Sequence, residues 1–248
     1  VFLATWKGTT VAAKIMSEKI IPDKKKFFYN EYENLTKLHH PNIIQLFGYV
    51  ENPFIIVMEY LSNKDLLSYL NKNLNFKKKI NICLDMLKGL EYLHTRQPKY
   101  IIHRDIKIQN ILIDSSGRAK IADFGLSRDF NNLPGLTCTY FKRTLSNEDL
   151  TTPIGTKRYM APEITNNDKY NYKIDIWSLG IIFAELFENK RYNSNFFWHK
   201  TPSKIKNIII DKMLQKEPKN RSNCNELIIL LNDELQNLNN NGCLCNIL

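Results

Sequence analysis

The stretch His103-Arg104-Asp105-Ile106-Lys107-Ile108-Gln109-Asn110 sets a carboxylate, an ammonium and an amide at short steps inside otherwise apolar sequence. With Lys107 two residues after Asp105 and Asn110 five after it, a base, a cation and a metal ligand fall on one tight loop. A second carboxylate follows in Asp123-Phe124-Gly125, behind the strand-like run Ala119–Ala122. Surface solvation does not account for four polar residues placed this way. Proton transfer, charge neutralisation and metal binding do. His103 reads differently, as a core histidine and not a catalyst or ligand.

These residues need elements to hold them. Thr9–Met16 is short, β-branched and apolar, and predicts a strand. From Asp23 to His40 the apolar residues Phe28, Leu35 and Leu38, with Glu31, recur at helical steps until Pro41 ends the run. Ile43–Val50 and Phe54–Tyr60 flank Glu51-Asn52-Pro53 and predict a strand, a turn and a strand. After Leu61 the pattern turns helical over Asp65–Leu70 and Lys77–Thr95, the second with Ile80, Leu84, Leu87 and Leu90 on one face. Ile101–Asp114 reads as a loop between short strands, with Gly117 at a hairpin turn. Ile174–Phe187 is apolar nearly all round, as a helix at the centre of a lobe must be. Lys204–Gln215 and Asn225–Leu238 are amphipathic helices. The outcome is an α+β chain: a small β lobe carrying one helix, then a larger, mainly helical lobe.

Composition narrows the function classes. The chain has 248 residues, a formal net charge of +10 and 43% hydrophobic residues, enough for a buried core. No apolar run approaches the roughly 18 residues of a spanning helix. The five cysteines make no disulfide framework and fit a reducing compartment. The chain opens on Val1 with no leader-like stretch, so its N-terminus reads as cut. The longest basic runs, Lys24–Lys26 and Lys77–Lys79, form no stripe with interleaved aromatics, which argues against nucleic-acid binding.

Further motifs fall in order around the first. Val11-Ala12-Ala13-Lys14, Glu31, Ala161-Pro162-Glu163, Asp175 in Asp-Ile-Trp-Ser-Leu-Gly, and Arg221 complete a set that resembles a eukaryotic protein kinase catalytic domain. The resemblance runs from the start of the chain to about Leu235. It implies a two-lobed fold, with an N-lobe over residues 1–61, a C-lobe over 62–238 and a tail over 239–248. It also implies ATP and Mg²⁺ as ligands and phosphoryl transfer as the reaction. On that template Asp105 is the base or orienter for the substrate hydroxyl, and Lys107 neutralises the transferring phosphoryl group. Asn110 and Asp123 hold Mg²⁺, and Lys14, held by Glu31, grips the α and β phosphates. Glu59, Tyr60 and Leu61 resemble the adenine-binding hinge, with Met58 as gatekeeper. Val1, Ala12 and Leu112 sandwich the base, and Asp65 reaches the ribose. Asp175 resembles the brace of the catalytic loop, and Arg221 the partner of Glu163.

Lys107 and Thr156 resemble the serine/threonine pattern. Ala4–Val11 and Arg158-Tyr159-Met160 resemble the tyrosine-kinase-like group, which includes Raf and the mixed-lineage kinases. The substrate is then a protein serine or threonine. The segment from Asp123 to Glu163 is long for the family and holds Thr144, Ser146, Thr151 and Thr152. With Arg104 beside the base, Thr152 is the expected site of an activating phosphate, added by an upstream kinase or by the chain itself. Cys245-Asn246-Ile247-Leu248 fits a prenylation box, with Cys243 available for a second lipid. The expected location is cytoplasmic, at a membrane only where Cys245 carries a lipid. The glycine-rich loop and the first strand of the family pattern are missing, and the stretch between Phe187 and Ile205 is too short for the family's usual helix. The competing reading is a pseudokinase scaffold that binds partners without phosphoryl transfer.

Overall fold

The computed structural model describes residues 1–15, 24–70, 72–131, 157–193 and 196–244. Thr144, Ser146, Thr151, Thr152, Thr156 and the Cys245–Leu248 box lie outside the described residues, as does the side chain of Cys243. In the small lobe, Phe2–Trp6 (β1) and Thr9–Ile15 (β2) form an antiparallel hairpin. Lys7 and Gly8 turn it, with φ of 48° and 80°, the left-handed pair that matches strand twist in a two-residue turn. The sequence reading lacked β1 because its five residues are too short for a period to register. Leu46–Glu51 (β3) and Phe54–Glu59 (β4) complete a sheet of order β1-β2-β4-β3. Lys24–Thr36 (α1) packs on it through Phe28, fully buried and 4.8 Å from the Phe54 ring.

Two expected boundaries move, each for a local reason. α1 stops at Thr36, short of His40, where Thr36 turns its hydroxyl onto the Glu33 carbonyl at 2.9 Å and a tighter turn follows. The expected strand from Ile43 begins only at Leu46. Residues Asn42 to Ile44 pair instead with the large lobe: Ile44 N–H donates to the Ile121 carbonyl, and Ile121 N–H to that of Asn42, both at 2.9 Å. The linker between α1 and β3 is thereby sewn to the large lobe.

The large lobe begins at Leu66–Leu70 (α2), capped by Asp65, whose carboxylate accepts the Ser68 N–H at 2.7 Å. Phe76–His94 (α3) is capped in the same way by Asn75. Lys99–Ile102 (β5) pairs with Arg128–Asn131 (β8), and Ile111–Ile113 (β6) with Ala119–Ile121 (β7). Gly117, at φ 80°, closes the β6–β7 turn as expected. After Pro162–Thr165 (α4) comes Lys173–Glu188 (α5), the apolar central helix, buried on nearly every side. Ser203–Asn207 (α6) runs into wider π-helical turns over Ile208–Met213, not one continuous amphipathic helix. Those turns lay Met213 and Leu214 against Gly180 of α5, where an added Cβ would meet Leu214 at 2.9 Å. Cys224–Leu244 (α7) starts at a reciprocal capping box between Asn223 and Glu226.

Between α5 and α6 the described residues form no helix, in line with the short sequence there. Glu188 substitutes for one, accepting the N–H groups of His199, Lys200 and Thr201 at 2.8–3.1 Å. Among the described residues no helix is long and apolar enough to cross a membrane.

Candidate active site

Strand alternation aims the first cation. Ala12 and Lys14 lie two apart on β2, and Ala12 faces Met58 across the β2–β4 register, so all three share the sheet face turned to the large lobe. Lys14 Nζ lies 2.8 and 2.7 Å from the two Glu31 carboxylate oxygens and 2.9 Å from Asp123 Oδ1. One ammonium thus serves two carboxylates. Burial works against the Lys14 charge, but the two carboxylates outweigh it and hold its pKa above the ordinary lysine value. Burial pushes the Glu31 carboxyl up against the pull of Lys14, with the Asp123 charge adding to the rise. At Asp123 burial is overcome by Lys14 and Lys107, and the carboxyl sits below its usual range.

The large lobe supplies the second group. Asp105 Oδ2 receives Lys107 Nζ at 2.6 Å and Asn110 Nδ2 at 3.0 Å. That amide nitrogen also reaches the Asp105 carbonyl at 2.9 Å, which turns Asn110 Oδ1 away from Asp105. The loop is held from below. Asp175, at the first turn of α5, accepts the backbone N–H groups of His103 and Arg104, each at 2.9 Å, and pairs with His94 Nε2 at 3.0 Å. Arg104 and Asp123 both adopt left-handed backbone, φ 66° and 67°, a conformation costing about 1–3 kcal/mol in a non-glycine residue. Asp175 fixes the first and Lys14 the second. His103 is fully buried, with its ring 4.8 Å from Phe124 and its Nε2 3.1 Å from the Ala122 carbonyl. Burial lowers its pKa, so it stays neutral in the core.

Lys14, Glu31, Asn110 and Asp123 line one cleft of about 540 Å³ between the lobes. Val1, Ala12, Met58, Glu59, Tyr60, Leu61, Asp65 and Leu112 line it too. Asp105 and Lys107 are absent from that lining but tied to it through Asn110. Two expected side chains hold structure as well as lining the cleft: Asp65 caps α2 through Oδ1 alone, and the Glu59 carboxylate binds Lys120 Nζ at 2.7 and 2.9 Å. Glu59 therefore offers a ligand its backbone.

Sequence reading missed three contributors. Lys120 on β7 clasps the strand end at Glu59. Asn30 on α1 donates to the carbonyls of Phe124, Gly125 and Ser127 at 2.9–3.3 Å, fastening α1 to the segment that carries Asp123. Gln109 lines the cleft beside Asn110. Adjacency to Glu31 was the one available signal for Asn30; nothing local marked Lys120.

Asn110 and Asp123 offer one amide and one carboxylate oxygen to a cation. Among the described residues no group of three His, Cys, Asp or Glu side chains is placed to hold a metal. That sparse, all-oxygen set fits Mg²⁺, which takes one or two protein ligands and completes its shell with phosphate and water.

Comparison with known proteins agrees with this architecture. The protein kinase domain family matches residues 1–237. The probable serine/threonine-protein kinase drkC of Dictyostelium discoideum is 37% identical over 195 residues, covering 75% of this chain and 24% of the relative. Serine/threonine-protein kinase 12 of Arabidopsis thaliana is 34% identical over 194 residues, covering 76% of this chain and 40% of the relative. Serine/threonine-protein kinase CTR1 of the same plant is 36% identical over 191 residues, 74% and 22% of the two chains. The chain thus spans well under half the length of these relatives. By its family match, its two-lobed α+β fold and its serine/threonine-kinase relatives, the chain belongs to the protein kinase family.

Proposed function

We propose that the chain is an active serine/threonine kinase that transfers the γ-phosphate of Mg·ATP to protein hydroxyls. The observation that carries this reading is the assembled charge set: Lys14 bonded to both Glu31 and Asp123, across the cleft from a catalytic loop whose Asp105 is held by Lys107 and Asn110. A scaffold needs none of these contacts.

Transfer of a phosphoryl group calls for positioning and charge stabilisation more than a covalent nucleophile. Lys14 would grip the α and β phosphates, with Glu31 keeping its side chain extended into the cleft. The apolar walls at Val1, Ala12, Met58 and Leu112 would take the adenine ring, the backbone of Glu59–Leu61 its polar edge, and Asp65 the ribose. Asn110 and Asp123 would hold Mg²⁺, which when bound screens the phosphate charge and orients the γ group. Asp105, one oxygen fixed by Lys107 and Asn110, keeps the other to orient the acceptor hydroxyl and take its proton. Lys107 lies where charge develops on the transferring group. A phosphate on Thr152 would find Arg104 as its partner, and membrane association would rest on a lipid at Cys245. Residues 1–61 and 62–238 serve as the two lobes of this machine and 239–248 as its tail, which α7 enters as far as Leu244.

The test is γ-phosphate transfer from Mg·ATP to a generic basic protein, with phosphoamino-acid analysis, on this chain and on Asp105→Asn. Phosphoserine or phosphothreonine that disappears in the variant is the expected result. Absence of transfer from a folded chain that binds Mg·ATP would replace this reading with the scaffold.

A further inference from the structure

α1 meets the backbone that follows Asp123 through amides. Asn30, Asn34 and Lys37, the last one residue past the end of α1, fall at steps of four and three. That spacing lines side chains along one side of a helix. All three reach the same stretch of the large lobe. Asn30 Nδ2 donates to the carbonyls of Phe124, Gly125 and Ser127 at 3.3, 2.9 and 3.1 Å. Asn34 Nδ2 donates to that of Ser127 at 3.4 Å, and Lys37 Nζ lies 3.6 Å from Asp129 Oδ2. From the opposite side, Arg104 Nε donates to the Leu126 carbonyl at 2.6 Å. Each backbone carbonyl of residues 124–127 is therefore held by a side chain of α1 or of the catalytic loop.

That stretch needs holding. Asp123 keeps a left-handed backbone, φ 67°, which a non-glycine residue adopts only when its surroundings impose it. Its carboxylate also shares one ammonium with Glu31, so two like charges are drawn together. A Cβ added at Gly125 would lie 3.6 Å from Asp123 Oδ1 and 3.8 Å from Glu31 Oε2, which places the Gly125 backbone against both acids. Lys14 ties the two side chains, but an ammonium is a compact charge on a flexible stem and fixes no backbone. Asn30 does fix one. Its two N–H groups serve three carbonyls, a match that only one path of the backbone allows. Because it adjoins Glu31 in sequence, it also sets the helix that carries Glu31 against the backbone that carries Asp123.

We propose that Asn30 is a positioning residue for phosphoryl transfer, its amide holding the backbone behind Asp123 so that the Asp123 carboxylate stands where it can bind Mg²⁺. The role rests on the kinase reading for what Asp123 holds; the clasp itself does not. Asn30 lies outside the cleft lining and acts through Asp123. Anchoring α1 does not require it, since Phe28 and Leu35 are fully buried and secure that helix by packing. Loss of the amide should therefore fall on the part of nucleotide binding that runs through Mg²⁺ and the phosphates. The part that runs through the apolar walls at Ala12, Met58 and Leu112 should remain.

The test reads binding and backbone opening on the full chain, with no need of turnover. Adenosine, and a non-hydrolysable ATP analogue with Mg²⁺, are titrated calorimetrically into the native chain, Asn30→Leu and Glu33→Gln, the last a control at an exposed position of α1. Asn30→Leu should weaken the Mg²⁺ analogue by about tenfold, the scale of one lost hydrogen bond, and adenosine by less than about twofold. Glu33→Gln should change neither. In the second arm, amide hydrogen exchange of the unliganded chain should run about tenfold faster over residues 124–131 in Asn30→Leu, with α5 unaltered. Should Asn30→Leu fail to fold, Asn30→Ser, smaller and still polar, takes its place in both arms. Equal losses for adenosine and the Mg²⁺ analogue overturn the proposal by making Asn30 part of the general packing. Exchange over 124–131 that is the same in every chain overturns it by showing that the amide holds nothing. A native chain that binds no nucleotide overturns the kinase reading and the positioning role together, and the exchange arm distinguishes that result from an absent clasp.

Discussion

The cleft and the base of the large lobe both hold buried charge, and they balance it in opposite ways. Arg221 is fully buried and spends every donor: Nη1 on Glu163 and the Lys173 carbonyl, Nη2 on Glu163 and the Lys216 carbonyl, Nε on the Gln215 carbonyl. In the cleft, one ammonium stands between two carboxylates, and the Lys14 and Asp123 side chains are 23% and 40% exposed. The first network is closed, and a closed network can only position what surrounds it. The second carries surplus negative charge and open oxygens, the state of a site that still expects a cation and its phosphates.

The sharpest way to break this comparison is Asp105→Asn. It should lower phosphate transfer by about 10²–10⁴-fold, the usual worth of a positioned base, and leave the melting temperature where it was. Equal losses of activity and stability would mean that the cleft is as structural as the base of the lobe. Next in size, Arg221→Met leaves Glu163 charged and buried without a partner, and should cost about 3–5 kcal/mol in urea unfolding. Lys14→Met should cost less, because one of its two carboxylates, Asp123, is 40% exposed, while abolishing transfer. A reversal of that order would contradict the distinction.

A smaller effect follows from two imidazoles, buried His103 and half-buried His40. Burial depresses the pKa of His103, and burial with the Lys88 charge depresses that of His40. The unfolded chain therefore binds more protons than the folded one below the ordinary histidine value of 6.5. Stability should be complete above that pH and decline as pH falls through it toward the folded values. Urea midpoints between pH 7.5 and pH 5.5 would read this, and His103→Gln should flatten the slope. A midpoint that rises on acidification would contradict the burial argument.

Sequence made the chemistry legible where residue type and short spacing carry it. Asp105, Lys107 and Asn110 sit within one turn of a loop, and Lys14, Glu31 and Asp123 take their places from a strand, a helix and a tripeptide. What stayed hidden depends on partners far along the chain or on backbone acceptors, which leave no pattern in residue type. Lys120 meets Glu59 from another lobe, Asn30 binds three carbonyls of the Asp123 segment, and Asn42–Ile44 abandon the small sheet to pair with Ile121. The hairpin of β1 escaped because five residues give too short a period, even with Lys7-Gly8 marking its turn. Glu185 was the least legible, an acid on the most apolar helix, where only the fold reveals that Arg158 and Arg191 reach it.

The most direct test of the open cleft is calorimetric titration of a non-hydrolysable ATP analogue, with and without Mg²⁺, into the native chain, Asp123→Asn and Ser222→Ala, the last as a control outside the cleft. Mg²⁺-dependent binding is expected in the native and control chains, weakened by about tenfold or more in Asp123→Asn. Binding that is equally tight without Mg²⁺, or unchanged in Asp123→Asn, would contradict it.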